Sequence, residues 1–289
     1  MISRRPFVFI ALILASVFLT RSASAQMQVT LEMTRSLYMM HEAILAKISI
    51  TNLSGRDQNF SDSPGHPWFS FEVFAGKDGL IPPINPNYHL GDLYVPTGQT
   101  VTRNINLTPL YGLQEYGTHS IKAVLYDKET DKYFTSARRV IEITDGILLW
   151  KQSVGVPSEN STHTYSLLTH RLPAENRLYV RILNDTAARV VACFSIGRVL
   201  SFSPPEHVLD IQNNLHVLQM VGPKAYLYTS ISPNGEILSR DPYIDGKSNP
   251  HLVRDASGSV RVRGGKLDQP VAPDKKRNIP RLSDRPVSI

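Results

Sequence analysis

His41-Glu42 opens as the helix of a zinc protease does, with a first ligand followed by the glutamate that would act as base. Leu45 stands where the second histidine must fall, so two ligands cannot share one helical face and that chemistry fails. No Gly-x-Ser-x-Gly elbow or Ser-x-x-Lys pair occurs, and Gly258 to Lys266 is misspaced for a phosphate loop and lacks its hydroxyl. Asp127, Glu129 and Asp131 alternate like the first half of a calcium loop. The glycine at the sixth position is missing and Arg138 replaces the closing glutamate, so a solvated hairpin tip is expected.

His163, His170, His207, His216 and His251 are the other candidate metal ligands. His207 and His251 recur at nearly equivalent positions of a repeat, which explains that pair without a metal, and neither metal nor cofactor is expected. Glycoside cleavage needs two carboxyl groups at a set separation. Glu206, Asp210, Asp241, Asp245 and Asp255 are the candidates, although Asp210 and Asp255 also recur and read as turn caps. Cys193 is the single cysteine; set among Val190, Val191, Ala192 and Phe194, it reads as a small buried hydrophobe with no disulfide partner.

With catalytic signatures missing, the residues suited to binding are Trp68, Tyr88, His89 and Tyr94. The last three lie in a stretch from Gly76 to Gly98 that holds Pro82, Pro83, Pro86 and Pro96. Their rings could stack on sugars or grip a peptide, or they could instead staple a long loop onto its domain.

The elements that would position them are strands. Val29, Leu31 and Met33 alternate, as do Ile44, Ala46, Ile48 and Ile50 before the turn Asn52-Leu-Ser-Gly55. Leu37, Met40, Ile44, Leu45 and Ile48 also satisfy helical spacing; the β-branched residues and the turn favour a strand. Trp68 to Phe74 forms a further strand, and Ile121 to Tyr126, Tyr133-Phe134 and Val140 to Ile143 give a hairpin and a closing strand. Val101, Arg103, Ile105 and Leu107, then the Gly117 corner and Ile121-Lys-Ala123, describe two half-buried strands joined where one sheet hands over to another. Glu115-x-Gly117-x-His119-x-Ile121 resembles the tyrosine-corner motif of immunoglobulin-like domains, with His119 in the tyrosine position and Ile121 in place of the cysteine. Together with Glu42-Ala-Ile44 to Ile50-Thr-Asn52, residues 27–144 resemble the Ig-like domains of secreted bacterial proteins, which implies a β-sandwich and no particular chemistry.

After Asp145-Gly146 the pattern changes. Asn176-Arg-Leu-Tyr-Val180, Asn213-Asn-Leu-His-Val217 and Gly258-Ser-Val-Arg-Val262 repeat a turn-then-strand cell; Gly197 to Ser201 matches Gly235 to Ser239. This spacing resembles the four-strand blades of β-propellers, with residues 147–170 supplying strands of a preceding blade. About two full blades fall short of the roughly four that a ring requires. Either a second copy closes the ring, as a homo-oligomer, or the strands form an open meander.

Arg4 and Arg5 precede an apolar run from Phe7 to Leu19, followed by Ala23-Ser-Ala25. The run is too short for a roughly 30 Å hydrocarbon core, so it reads as a secretory signal cleaved after Ala25, leaving no membrane span in the mature chain. Of the net charge of +6, residues 1–25 carry +3 and residues 261–289 carry +5, which leaves −2 for the body. A nucleic-acid-binding surface on the body is therefore not expected. Lys266 to Ile289, with four prolines and no period, reads as a disordered basic tail.

The expectation is an all-β protein: signal peptide 1–25, Ig-like β-sandwich 26–145, β-repeat domain 146–265, tail 266–289. Function reads as an exported, non-enzymatic binding or scaffolding protein of the periplasm or cell exterior, with a glycan or protein ligand. The alternative is a glycan-directed hydrolase or accessory factor using carboxylates of the second domain.

Overall fold

The computed structural model describes residues 27–63, 66–77, 79–86, 88–156 and 159–268. The stretch expected to be a signal peptide, residues 1–25, and most of the expected tail lie outside them. The described chain is all-β, in several sheets of which none is closed. It divides into two compact units, one ending at Asp145 and the other starting at Gly146.

Unit one runs β1 (Met27–Met33), β2 (Leu37–Met39), β3 (Leu45–Asn52), β4 (Gln58–Phe60), β5 (Phe69–Ala75), β6 (Gly79–Leu80), β7 (Leu93–Val95), β8 (Thr100–Asn106), β9 (Gly117–Asp127), β10 (Lys132–Thr135) and β11 (Arg139–Thr144). One sheet has the order β1-β3-β8, the other β2-β11-β9-β5-β6 with β10 also on β9, and β4-β7 is a separate ribbon. Alternation explains the core: Leu31, Ile48, Ile50 and Ile105 from the first sheet meet Val73, Ile121, Leu125 and Ile141 from the second. The consecutive strands β8 and β9 lie in different sheets, and the link between them buries Leu107, Tyr111 and Leu113. The Tyr111 hydroxyl donates to the Phe71 carbonyl at 2.9 Å and accepts from the Phe71 N–H at 3.2 Å, tying that link to β5. His119, in the motif's tyrosine position, is buried and turns Nδ1 back to the Gly117 carbonyl at 3.1 Å.

One expectation holds here and one changes. The segment that also fitted a helix is two strands, with a turn at His41 (φ 70°) between them; β2 pairs parallel with β11, a distant partner that local periodicity cannot reveal. The stretch from Gly76 to Gly98 contains β6 and β7, because its prolines interrupt the chain without preventing short ladders against β5 and β4.

Unit two runs β12 (Ile147–Val156), β13 (Ser161–Arg171), β14 (Asn176–Asn184), β15 (Arg189–Arg198), β16 (Glu206–Leu209), β17 (Leu215–Gly222), β18 (Ala225–Ile231), β19 (Ile237–Ile244), β20 (His251–Arg254), β21 (Val260–Arg263) and β22 (Lys266–Leu267). Strands β12 to β15 form an antiparallel meander in chain order, β16 to β19 a second one with β22 added at the β19 edge, and β20-β21 a hairpin. The first two sheets share a core of Tyr165, Leu167, Val180 and Ile182 with Leu215, Val217 and Ile231. On its other face the second sheet offers Leu218, Tyr226 and Tyr228 to Leu252 and Val262 of the hairpin. The unit is thus three layers, with the middle sheet covered on both sides.

Residues 147–170 do not belong to a preceding sheet. A turn closed by the Leu172 N–H to the Glu175 carbonyl (2.9 Å) keeps β13 and β14 in continuous register, so 147–198 is one four-stranded sheet. Gly197 and Gly235 are not equivalent either: Gly197 lies inside β15, whereas Gly235 sits in the turn before β19. Lys266-Leu267, assigned to the tail by composition, is β22, anchored further by the Asp268 N–H on the Pro242 carbonyl.

Candidate functional site

Trp68 precedes β5 and is 2% exposed. Its ring stacks on Phe60 with centroids 5.5 Å apart, and its Nε1 donates to the Gly91 carbonyl at 3.0 Å. The indole therefore staples the loop onto the core and offers no face to a ligand. Asp62 extends the same arrangement, accepting the Trp68 N–H at 3.0 Å and contacting His89 Nδ1 at 2.6 Å, with the His89 ring 61% exposed. Tyr94 is on β7, 57% exposed, and its hydroxyl donates to Asp57, which also accepts the Thr97 N–H. These two hydrogen bonds hold the Asp57 carboxyl below its usual range, and the one to Asp57 pushes the Tyr94 phenol up.

Tyr88, 42% exposed, stands apart from these anchors. With Pro67, Phe69, Phe71, Pro83 and Pro86 it lines a cleft over Tyr111. The walls follow from strand and turn chemistry: Phe69 and Phe71 point to one face of β5, and the prolines rigidify the opposing loop. The cavity measures about 60 Å³, well below the several hundred Å³ of a whole small-molecule site. It admits one ring or one apolar side chain. The four aromatic candidates are thus divided: Trp68 in the core, His89 on Asp62, Tyr94 on Asp57, and Tyr88 on the cleft. Sequence reasoning missed Asp57 and Asp62 as loop anchors, and it placed Phe69 and Phe71 on a strand without joining them to Tyr88 or Tyr111.

The carboxylates of unit two are engaged in holding the layers. Asp210 accepts the N–H groups of Gln212 and Asn214 at 2.8 Å each, and Asp255 accepts those of Ser257 and Ser259 at 3.0 Å each, the same turn twice. Glu206 accepts the Leu252 N–H at 2.7 Å, joining middle sheet to hairpin, and Asp241 accepts the Ser239 hydroxyl. Asp245 faces Tyr226, whose phenol is raised first by burial and then by that carboxylate.

Asp210 also contacts His216 Nε2 at 3.1 Å, and His216 Nδ1 lies 2.7 Å from the Tyr228 hydroxyl, a buried Asp-His-Tyr chain. Burial pushes Asp210 up, but hydrogen bonds from His216, Asn214 and Gln212 outweigh it and hold the carboxyl below its usual value. Asp255 is held low by Ser257 and Ser259. A glycosidase acid works the other way, with its pKa raised so that it still carries a proton at neutral pH.

The histidines do not converge. His163 lies 3.2 Å from Glu159, His170 packs edge-on to Tyr179, His207 packs at a tilt against Trp150, and His251 turns to the Asn249 carbonyl. Among the described residues no group of three or more His, Cys, Asp or Glu side chains is arranged to hold a metal. Glu42, beside the failed protease motif, accepts the Met39 N–H and pairs with Arg35. Cys193 is a buried free thiol, and no helix among the described residues is long and apolar enough to cross a membrane. No protein-family model matches the chain, and no curated protein matches it at a significant level.

Proposed function

We propose that this chain is an exported, non-enzymatic binding protein that grips a segment of a partner protein through the Tyr88 cleft of an Ig-like domain. The carrying observation is the cleft itself: rigid proline and aromatic walls, an exposed tyrosine at the rim, and room for one side chain. An apolar lining of that size suits a side-chain anchor better than a sugar, which needs a ring of hydrogen-bonding groups. The Ig-like reading of unit one is supported by its strand order, in which the first strand pairs into one sheet and its continuation, β2, lies parallel to the last strand in the other. The propeller-like reading of unit two is supported by stacked antiparallel meanders of four strands in chain order. Export is supported by the apolar run Phe7 to Leu19 and the small residues Ala23 and Ala25. Against the hydrolase alternative, the acids of unit two serve as turn caps and interlayer acceptors, and those with a displaced pKa are displaced downward.

The test is a display-selected peptide library and a glycan array, both probed with the chain from Gln26 onward. Peptides sharing one apolar or aromatic anchor are expected, weakened about tenfold or more by Tyr88→Ala, the scale of a hot-spot truncation. Selection of glycans alone, or peptide binding indifferent to Tyr88, overturns the reading.

A further inference from the structure

A sheet edge left open invites another strand, and the first sheet of unit two treats its two edges differently. Along edge β15 the register slips at Val191 and again at Ile196, and the strand begins and ends with Arg189 and Arg198. Its Arg198 carbonyl accepts Gln219 Nε2 at 2.7 Å and its Ile196 carbonyl accepts the Arg240 guanidinium at 3.4 Å, so side chains of the second sheet already occupy it. Edge β12 lacks such protection. It has ten residues, slips once at Leu149, and runs regularly from Trp150 to Val156. It holds no proline and no acid, and Lys151 is its one charge. Ile147, Leu148 and Leu149 are 71%, 53% and 45% exposed, whereas Trp150 and Val154 turn into the core. Edge β8 of unit one, by contrast, presents Thr100, Thr102, Arg103 and Asn104 to water.

The backbone of β12 determines what fits against it. The Asp185 N–H donates to the Thr162 carbonyl at 2.8 Å, so Thr162 faces β14, and Gly155, opposite it on β12, turns its own N–H and C=O away from β13. Alternation gives Ser153 and Lys151 the same outward direction and, past the slip, Leu148. Among the described residues no strand lies on that side; Asn213 Nδ2 reaches the Gly155 carbonyl at 2.8 Å. Such a row of outward donors and acceptors takes an extended strand. A head-to-tail stack of β12 on β15 would need the edge that Gln219 and Arg240 already hold. The sheet can instead continue isologously, β12 against β12 about a twofold axis, which closes the assembly at two. An axis through Gln152 sets Lys151 opposite Ser153 of the second copy, so like charges do not meet. It brings Leu148 across from Gly155 and Ile147 across from Val156, apolar against small or apolar. Three consecutive exposed apolar side chains suit such permanent cover.

We infer that two copies of this chain pair antiparallel through β12, joining their first sheets of unit two into one continuous sheet. The interface is separate from the Tyr88 cleft. The test follows the chain from Gln26 by sedimentation over a concentration series, where a monomer–dimer equilibrium without larger species is expected. Ser153→Pro removes an outward N–H and leaves the ladder to β13 its donors, and Leu148→Lys places a charge on the edge without altering the backbone. Each is expected to weaken dimerisation about tenfold or more, the scale of one or two lost hydrogen bonds, with the β-type circular dichroism spectrum retained. Tyr88→Ala is expected to dimerise like the wild type. Under mild oxidation Gln152→Cys, held against its own copy at the axis, is expected to cross-link about tenfold or more faster than Asn104→Cys on β8. Any of four results overturns the proposal. These are a monomer at every concentration up to about 1 mM, as when the added strand comes from a different protein; polymers that grow with concentration; a dimer indifferent to both edge substitutions; or equal cross-linking of the two cysteine variants.

Discussion

Asp210 shows how much one carboxylate does in unit two. It closes the β16-β17 turn and orients His216, which in turn meets Tyr228 in the interior. Asp210→Ala removes four hydrogen bonds and strands a buried imidazole, so a loss of about 1–3 kcal/mol is expected in denaturant unfolding at pH 7. The same change at Asp255, which caps an exposed turn without a histidine, should cost less. Because the folded carboxyl titrates below its ordinary value of 3.8, the unfolded chain takes up the proton first on acidification. The stabilisation is fully present above about pH 4 and is lost as pH falls through the folded value. The wild-type advantage over Asp210→Ala should therefore shrink below that pH; an advantage that grew on acidification would contradict the assignment.

At the scale of elements, the layers of unit two meet through their turns. The β18-β19 turn sets Gly235 at φ 81° against Ala192 of β15, where an added Cβ would lie 2.3 Å from the alanine Cβ. Gly258, in the β20-β21 turn at φ 82°, meets Ile211 of the preceding turn in the same way. Gly235→Ala combines a left-handed backbone with a clash against a side chain that cannot rotate away, and should cost about 1–3 kcal/mol. Adding Ala192→Gly should return part of that loss while the backbone term stays, a coupling measurable by a double-mutant cycle.

These contacts also mark what could be read from the sequence. Strands with one covered face, such as β1, β3 and β5, announce themselves by alternation, and the recurrent Asp turns were visible as spacing. Leu215 to Met220 shows little alternation because both its faces are covered, so the layering could not be inferred there. The parallel β2-β11 pair, the burial of Trp68 and the Tyr88 cleft depend on residues brought together from distant parts of the chain. No local period carries that information.

At the scale of the molecule, each unit closes its own core: residues from Met27 to Ile143 in one, from Tyr165 to Ile231 and Leu218 to Val262 in the other. Residues 27–145 expressed alone should give a β-type circular dichroism spectrum and a single cooperative melt. A fragment without a melting transition would show that unit one needs the remainder of the chain.

The two units also differ in when their strands find partners. In unit one the ladder of β2 waits for β11, about a hundred residues later, so its sheet cannot be finished until nearly the whole unit has emerged. In unit two almost every strand pairs with the one just before it, and each layer is complete before the next begins; β22, returning to β19, is the late addition. A chain delivered amino end first can set these layers down one upon another, in the order of its own synthesis.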